Sequence, residues 1–391
     1  MAAGRTDPKG VSMNKSRRRA IVAGHICVDI TPVFPNQGGK KLGEILVPGR
    51  LINMDGVSVS TGGTVANTGL AMKLLGADVK LMGKIGKDDF GELILNHLLK
   101  YGYDGSEDMI CSTDSRTSYS VVIAAPGVDR IFLHDPGANN TFCYDDLDFD
   151  AIGEGDVFHL GYPPLMRRLY ENDGEELVRI FQKVKELGLF TSLDMTMVDP
   201  SSEAGQVPWM RILERVLPYV DLFAPSAEEL CYMIDPTRYE DWLSRAGGED
   251  VTGFLKWEDD IRPLGMKLLK MGAGMVLIKC GVPGLYFCSA DEVRLGETGK
   301  SLISDPAAWS RMECFEKSYV PDQIRSGTGC GDTSIAAFLT ALMEGEELST
   351  CLQFAAGTGA MCVASYDALG GLIPLDALRM KIADGWEKIS D

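Results

Sequence analysis

Residues 325–334 read RSGTGCGDTS, and the run that follows, IAAFLTALMEG, has the makeup of a helix. A helix N-terminus carries unpaired backbone N–H groups and the positive end of the helix dipole. Glycines at 327, 329 and 331 allow the backbone to curl so that several N–H groups converge on one anion without a Cβ in the way. Asp332 then stands in the first turn beside that anion. A carboxylate there can take a proton from an attacking hydroxyl while the N–H groups stabilise charge on a transferring phosphoryl group. The same residues also read as a glycine-rich turn with Asp332 as a capping acid.

A second glycine cluster, STGGTVANTGLAMKLLG (60–76), also precedes a helix. Gly62 and Gly63 permit close backbone approach, and Asn67 offers a donor and an acceptor, which suits a polyhydroxylated ligand, though the same residues equally read as a tight turn with a packing asparagine. Other chemistries drop out. GETGKS (296–301) lacks the first glycine of a P-loop, since Arg294 stands there, and GTGCGD does not have dinucleotide-fingerprint spacing. The four histidines, at 25, 97, 134 and 159, are too scattered for a zinc site.

Positioning these residues is the task of an alternating pattern. The apolar runs RAIVAGHICVDI, VKLMGKIG, DVFHLGY, FTSLDMT, VDLFAPS and GMVLIKCG alternate with helical stretches such as GEELVRIFQKVKELG. Near-continuous apolar strands between helices predict an α/β fold, a doubly wound, mostly parallel sheet covered on both faces. Ligands of such sheets bind beyond the strands' C-terminal ends, which places Asp29, Asp194, Ser226 and Gly281 along one edge. Two segments, 47–63 and 118–137, break the rhythm and predict a small accessory β-sheet. Residues 236–262, charged and carrying Trp242 and Trp257, read as a surface insertion, and residues 1–16 as a disordered tail before one domain over 17–391.

The chain has 391 residues, 45% hydrophobic and 24% charged, as expected of a globular protein with a large core. A formal charge of −18 argues against nucleic acid or an anionic membrane as partner. The N-terminal SRRRAIVAGHICVDI is too short and polar for a signal peptide, and no stretch approaches a bilayer span. Ten cysteines without a C-x-x-C pair predict reduced thiols and a cytoplasmic protein.

Together, GGTVANTGLAMKLLGADVKLMGKIGKDDFG (62–91) and GTGCGDTSIAAF (327–338) resemble the two signatures of the ribokinase/PfkB family of carbohydrate kinases. GHICVDI, DPGANN, DLFAPSAEE and VLIKCGVPG fall in the expected order around them, and the resemblance covers about residues 18–380. It implies a ribokinase-like sheet with a small β lid, from segments near 30–60 and 112–135, and ATP- and Mg2+-dependent phosphorylation of a sugar hydroxyl. By resemblance Asp332 is the base, and Gly329, Cys330 and Gly331 form the anion hole. Asp29, Gly62, Gly63 and Asn67 contact the sugar. Glu229 acts on magnesium, Ser226 stands beside it, and Gly281 and Gly284 line ATP. Ser226 replaces the asparagine of the family's Asn-x-x-Glu motif. Ser326 and Gly327 replace the acid and threonine that open the second signature, leaving a monovalent cation open. The sugar-binding acid of ribokinases falls near Gly161, so ribose is not the expected substrate. The lid is also where a homodimer would pair. Two further readings stay open: a nucleoside or other non-sugar kinase, for which Phe132 is the available lid aromatic, and a catalytically silent sugar- or nucleotide-binding regulator.

Overall fold

The computed structural model describes residues 18–35, 42–125, 131–365 and 367–390. The expected tail, residues 1–16, lies outside them.

Strands β1 (Arg19–Gly24), β2 (Cys27–Val33), β3 (Gly56–Gly62), β4 (Asp78–Gly86), β5 (Ile110–Ser112), β6 (Tyr119–Ile123) and β7 (Ile131–Asp135) come from the first third of the chain. They are followed by β8 (Val157–Gly161), β9 (Phe190–Asp194), β10 (Leu222–Phe223), β11 (Met275–Lys279), β12 (Gly284–Ser289) and β13 (Glu313–Lys317). Among the described residues they form a nine-stranded sheet, β13-β12-β11-β10-β9-β8-β1-β4-β5, and a four-stranded sheet, β3-β2-β6-β7. The large sheet is parallel from β5 to β11, and β12 and β13 add antiparallel strands at one edge.

Alternation along each apolar strand explains both covered faces. Ala20 and Val22 of β1, Val157 of β8 and Met275 and Leu277 of β11 join one core, beneath the helices Thr64–Leu75, Cys330–Glu344 and Leu348–Cys362. Ile21, Ala23, Phe158, Val276 and Ile278 join the other, beneath the helices Arg167–Glu186, Trp209–Val216 and Arg262–Lys270.

The run RAIVAGHICVDI is not one strand. It ends as β1 at Gly24, crosses His25 and Ile26, and restarts as β2 in the small sheet. Gly24 has φ 123°, and a Cβ there would lie 2.5 Å from the Gly161 carbonyl oxygen, so only glycine fits where the ends of β1 and β8 meet. This is where strand order reverses, the crevice in which open α/β sheets bind ligands. Asp29 therefore lies on β2 of the small sheet, not at the large sheet's edge as the apolar pattern implied. The two segments expected to form the accessory sheet do contribute β3 and the β6–β7 hairpin, but β2 lies between them.

In segment 236–262 the helix Pro236–Ala246 carries its charges outward, while Trp242 is fully buried in the second core. Trp257 stacks on Phe315 with ring centroids 6.1 Å apart. The two tryptophans thus anchor the segment.

Candidate active site

The helix Cys330–Glu344 is buried over nearly its whole length because it packs between the helices Thr64–Leu75 and Leu348–Cys362. Gly329 caps it with φ 75°, and a Cβ there would lie 2.3 Å from that of Ala368. The left-handed conformation and the crowding both demand glycine. The first turn opens onto a cleft of about 280 Å³ lined by Gly329, Cys330, Gly331 and Asp332 on one side and Ser226, Glu229 and Gly281 on the other. An adjoining groove of about 450 Å³ continues past Gly281 and Gly284 over Val282, Leu285, Tyr319 and Ile324. The first space is small and edged by helix N–H groups and charge. The second is larger and apolar, the division a nucleotide's phosphates and base require.

Asp332 is 2% exposed. Its carboxylate accepts from Asn67 Nδ2 at 3.1 Å, Thr68 Oγ1 at 3.2 Å and the Tyr162 hydroxyl at 2.7 Å. Burial pushes its pKa up, against the pull of Tyr162, Lys279 and Asn67. Asn67 thus joins the second glycine cluster to the first.

Lys279 ends β11 and Asp194 ends β9, and their side chains pair across the sheet's C-terminal edge with Nζ to Oδ1 at 2.6 Å. The Lys279 head also packs against the turn that opens this helix, the helix Cys330–Glu344, 3.3 Å from where a Cβ on Gly331 would stand. Burial pushes Asp194 up, against the pull of Lys279, and Glu229 and Asp332 push it further up. Burial lowers Lys279 in turn, but Asp194 and Glu229 raise it more.

Ser226 and Glu229 form a capping box at the start of the helix Ala227–Ile234. The Glu229 carboxylate accepts from the Ser226 N–H at 2.8 Å, and Ser226 Oγ accepts from the Glu229 N–H at 3.3 Å. Both residues line the cleft.

Three carboxylates, Asp194, Glu229 and Asp332, face one ammonium, so a polyphosphate entering here meets net negative charge unless a cation comes with it. Asp194 Oδ2 is buried without a partner. Among the described residues no three acidic, histidine or cysteine side chains cluster to bind a metal directly. The excess of carboxylates suits magnesium, which keeps most of its waters and binds one or two carboxylates plus phosphate oxygens.

On the lid side the space beside Gly62 is filled by the Asp29 carboxylate, 2.2 Å from where a Cβ would be, and that beside Gly63 by His25 at 2.5 Å. These glycines make room for the chain's own polar groups. Burial raises the Asp29 pKa to about 6. Gly161 ends β8 tightly against Thr64, so no side chain can stand there. Instead the next residue, Tyr162, in the left-handed region at φ 66°, reaches Asp332.

Sequence reasoning missed Tyr162, the Lys279–Asp194 pair and the imidazole of His25. For Lys279 and His25 the signal was a polar residue inside an otherwise apolar strand run. For Tyr162 no local pattern existed, because its role depends on a contact 170 residues away.

A family model described as pfkB family carbohydrate kinase matches residues 24–373. An uncharacterized sugar kinase of Archaeoglobus fulgidus is 22% identical over 304 residues, covering 78% of this chain and 98% of that protein. The solved structure of Arabidopsis thaliana ribokinase complexed with ribose and ATP superimposes with a TM-score of 0.65 at 19% identity, covering 93% of this chain and 98% of that one. The fructokinase of Xylella fastidiosa with bound ATP gives 0.66 at 16% identity, covering 94% and 99%.

Proposed function

Because the chain belongs to the pfkB family of carbohydrate kinases, we propose that it transfers the γ-phosphoryl group of ATP to a hydroxyl of a small sugar, with Asp332 as the base. The observation that carries the assignment of roles is the position of Asp332. It is buried in the first turn of a glycine-capped helix, bonded to Asn67 on the acceptor side and close to Lys279 on the phosphate side.

Asp332 accepts the acceptor's proton as the oxygen attacks phosphorus. The N–H groups of Gly329, Cys330 and Gly331 with the Lys279 ammonium take up charge on the moving phosphoryl group. The acceptor lies between the lid and the Thr64–Leu75 helix, against Asp29 and Asn67, with Gly62 and Gly63 making room for Asp29 and His25. The nucleotide runs along Gly281 and Gly284. A bound magnesium would neutralise phosphate oxygens, and Glu229, with Ser226 beside it, would hold its water shell. The lid excludes water from the acceptor. The monovalent cation stays open: Ser326 Oγ is engaged with Thr328 of its own loop, at 3.0 Å to Oγ1 and 3.1 Å to the amide, and the assay below tests potassium directly.

Val57, Val59, Ile131 and Leu133 share the lid face opposite Asp29 and are 60%, 41%, 42% and 56% exposed. We propose that two copies pair through this face. Sedimentation of the chain and of a Val57→Lys, Leu133→Lys variant tests it: a dimer that the variant abolishes supports pairing, and a wild-type monomer rejects it. All ten cysteines are free thiols, which supports a reducing, cytoplasmic setting. Among the described residues no helix is long and apolar enough to cross a membrane.

The kinase reading is tested by ADP release across pentoses, hexoses, polyols and nucleosides with magnesium, with and without potassium. A sugar that turns over supports it. ADP release with nucleosides alone would overturn the sugar assignment.

A further inference from the structure

We propose that His25 and His134 form a hydroxyl-reading pair in the acceptor pocket, and that the acceptor they select is an uncharged polyol rather than a sugar acid. This rests on the kinase reading above. His25 sits at the junction where the chain leaves β1 for the lid, and it is 2% exposed. Neither of its ring nitrogens has a partner. Its ring centroid lies 5.2 Å from that of His134 on β7 and 5.9 Å from that of Tyr162, which donates to Asp332. His134 Nδ1 lies 3.0 Å from Ser120 Oγ, but its Nε2 is buried and unpartnered. Register places Asp29, Ser120 and His134 side by side across β2, β6 and β7, on one face of the lid. An arc of buried polar groups thus runs from the lid to the base, and three of its nitrogens are unmet. Buried polar atoms in folded proteins nearly always have partners, so three unmet nitrogens at one place call for a partner, which ligand hydroxyls can supply.

The chemistry of the arc narrows the ligand. Burial lowers both imidazoles, further at His25 through the neighbouring His134 and against the pull of Asp135 and the Tyr119 backbone at His134, which favours neutral rings near pH 7. A neutral imidazole presents one donor and one acceptor, and a hydroxyl can answer either. A carboxylate only accepts, and here it would meet Asp29 and Asp332, which already repel each other. Lys279, the cation of the neighbouring cleft, is bound to Asp194 on the phosphate side. A pocket that reads hydroxyls through otherwise unsatisfied groups also discriminates strongly against analogues lacking them.

The test uses the full chain and the probes fructose, ribose, sorbitol and gluconate. Ring 15N resonances of His25 and His134 are recorded with each probe, and acceptor KM and ATP KM are measured for wild type and His134→Phe, which keeps a planar ring and removes both nitrogens. The expected result is a ring-nitrogen shift with an uncharged probe and none with gluconate. In the variant the KM for that probe rises about 10- to 100-fold, the scale of one or two lost hydrogen bonds, while the KM for ATP moves less than about 3-fold. An unchanged acceptor KM in folded His134→Phe, preference for gluconate, or silent ring nitrogens with a probe that is phosphorylated would overturn the proposal. If an uncharged probe shifts the rings but none releases ADP, the pair stands and the kinase reading fails. If none does either, both fall.

Discussion

Tyr162 donates its hydroxyl hydrogen to Oδ2 of Asp332 across 2.7 Å, joining the end of β8 to the first turn of the helix Cys330–Glu344. Burial, then the Asp332 charge, holds the phenol far above its usual range, so it remains a donor at every working pH. A donor to the ionised carboxylate favours the base form, so Tyr162 offsets part of the cost of burying Asp332. In Tyr162→Phe the Asp332 pKa rises. The acid limb of the pH–turnover profile should move to higher pH, and turnover at neutral pH should fall roughly 10-fold, the scale of one hydrogen bond to a charged group. An unmoved acid limb would mean that the bond does not act on the base.

Lys279→Met should lower turnover by about 100- to 1,000-fold, as expected for losing one preorganised donor to transition-state charge. It should also destabilise the fold by about 3–5 kcal/mol, because Asp194 is left buried without its partner. Adding Asp194→Asn should restore most of the melting temperature without restoring turnover. Recovery of both together would reduce the pair to a structural role.

Asp29 gives a pH signature. Its folded-state pKa of about 6 lies above the ordinary 3.8. The folded state therefore holds this proton more tightly than the unfolded chain does. Its contribution is fully favourable below about pH 4, is lost as pH rises from there to 6, and is flat above, a change of about 3 kcal/mol. Asp29→Asn should remove that slope from denaturant midpoints measured between pH 4 and 6, and should raise stability at pH 7 while weakening acceptor binding. A slope unchanged in the variant would place its origin elsewhere.

Gly329→Ala should cost about 1–2 kcal/mol for the left-handed backbone alone, with more from the contact at Ala368. Because the same turn presents the anion-hole N–H groups, turnover should fall along with the melting temperature. Full turnover in the folded variant would remove Gly329 from the anion hole.

The part of the site legible in the sequence was the part built locally. Glycines 327, 329 and 331 before an apolar run, with Asp332 directly after them, describe a helix mouth without any tertiary information. The strand–helix alternation likewise gave the doubly wound sheet, because each strand buried on both faces must be apolar throughout. What was hidden depended on long-range contact or on a break inside a uniform pattern. RAIVAGHICVDI is apolar on both sides of Gly24, so hydrophobicity does not mark the passage from large sheet to small sheet, and Asp29 falls on β2 rather than after the first strand run. Trp242 sits among charged neighbours yet packs inward, because one face of its helix is covered by the second core. Tyr162 and His25 acquire their chemistry only when β1, β7, β8 and the Cys330 helix meet.

The central claim is that Asp332 takes the acceptor's proton. The measurement that tests it most directly is turnover by Asp332→Asn, with acceptor affinity measured separately by calorimetry. Loss of general-base help should lower turnover by roughly 100- to 10,000-fold while acceptor binding survives. Turnover close to wild type in a folded, acceptor-binding variant would contradict the account.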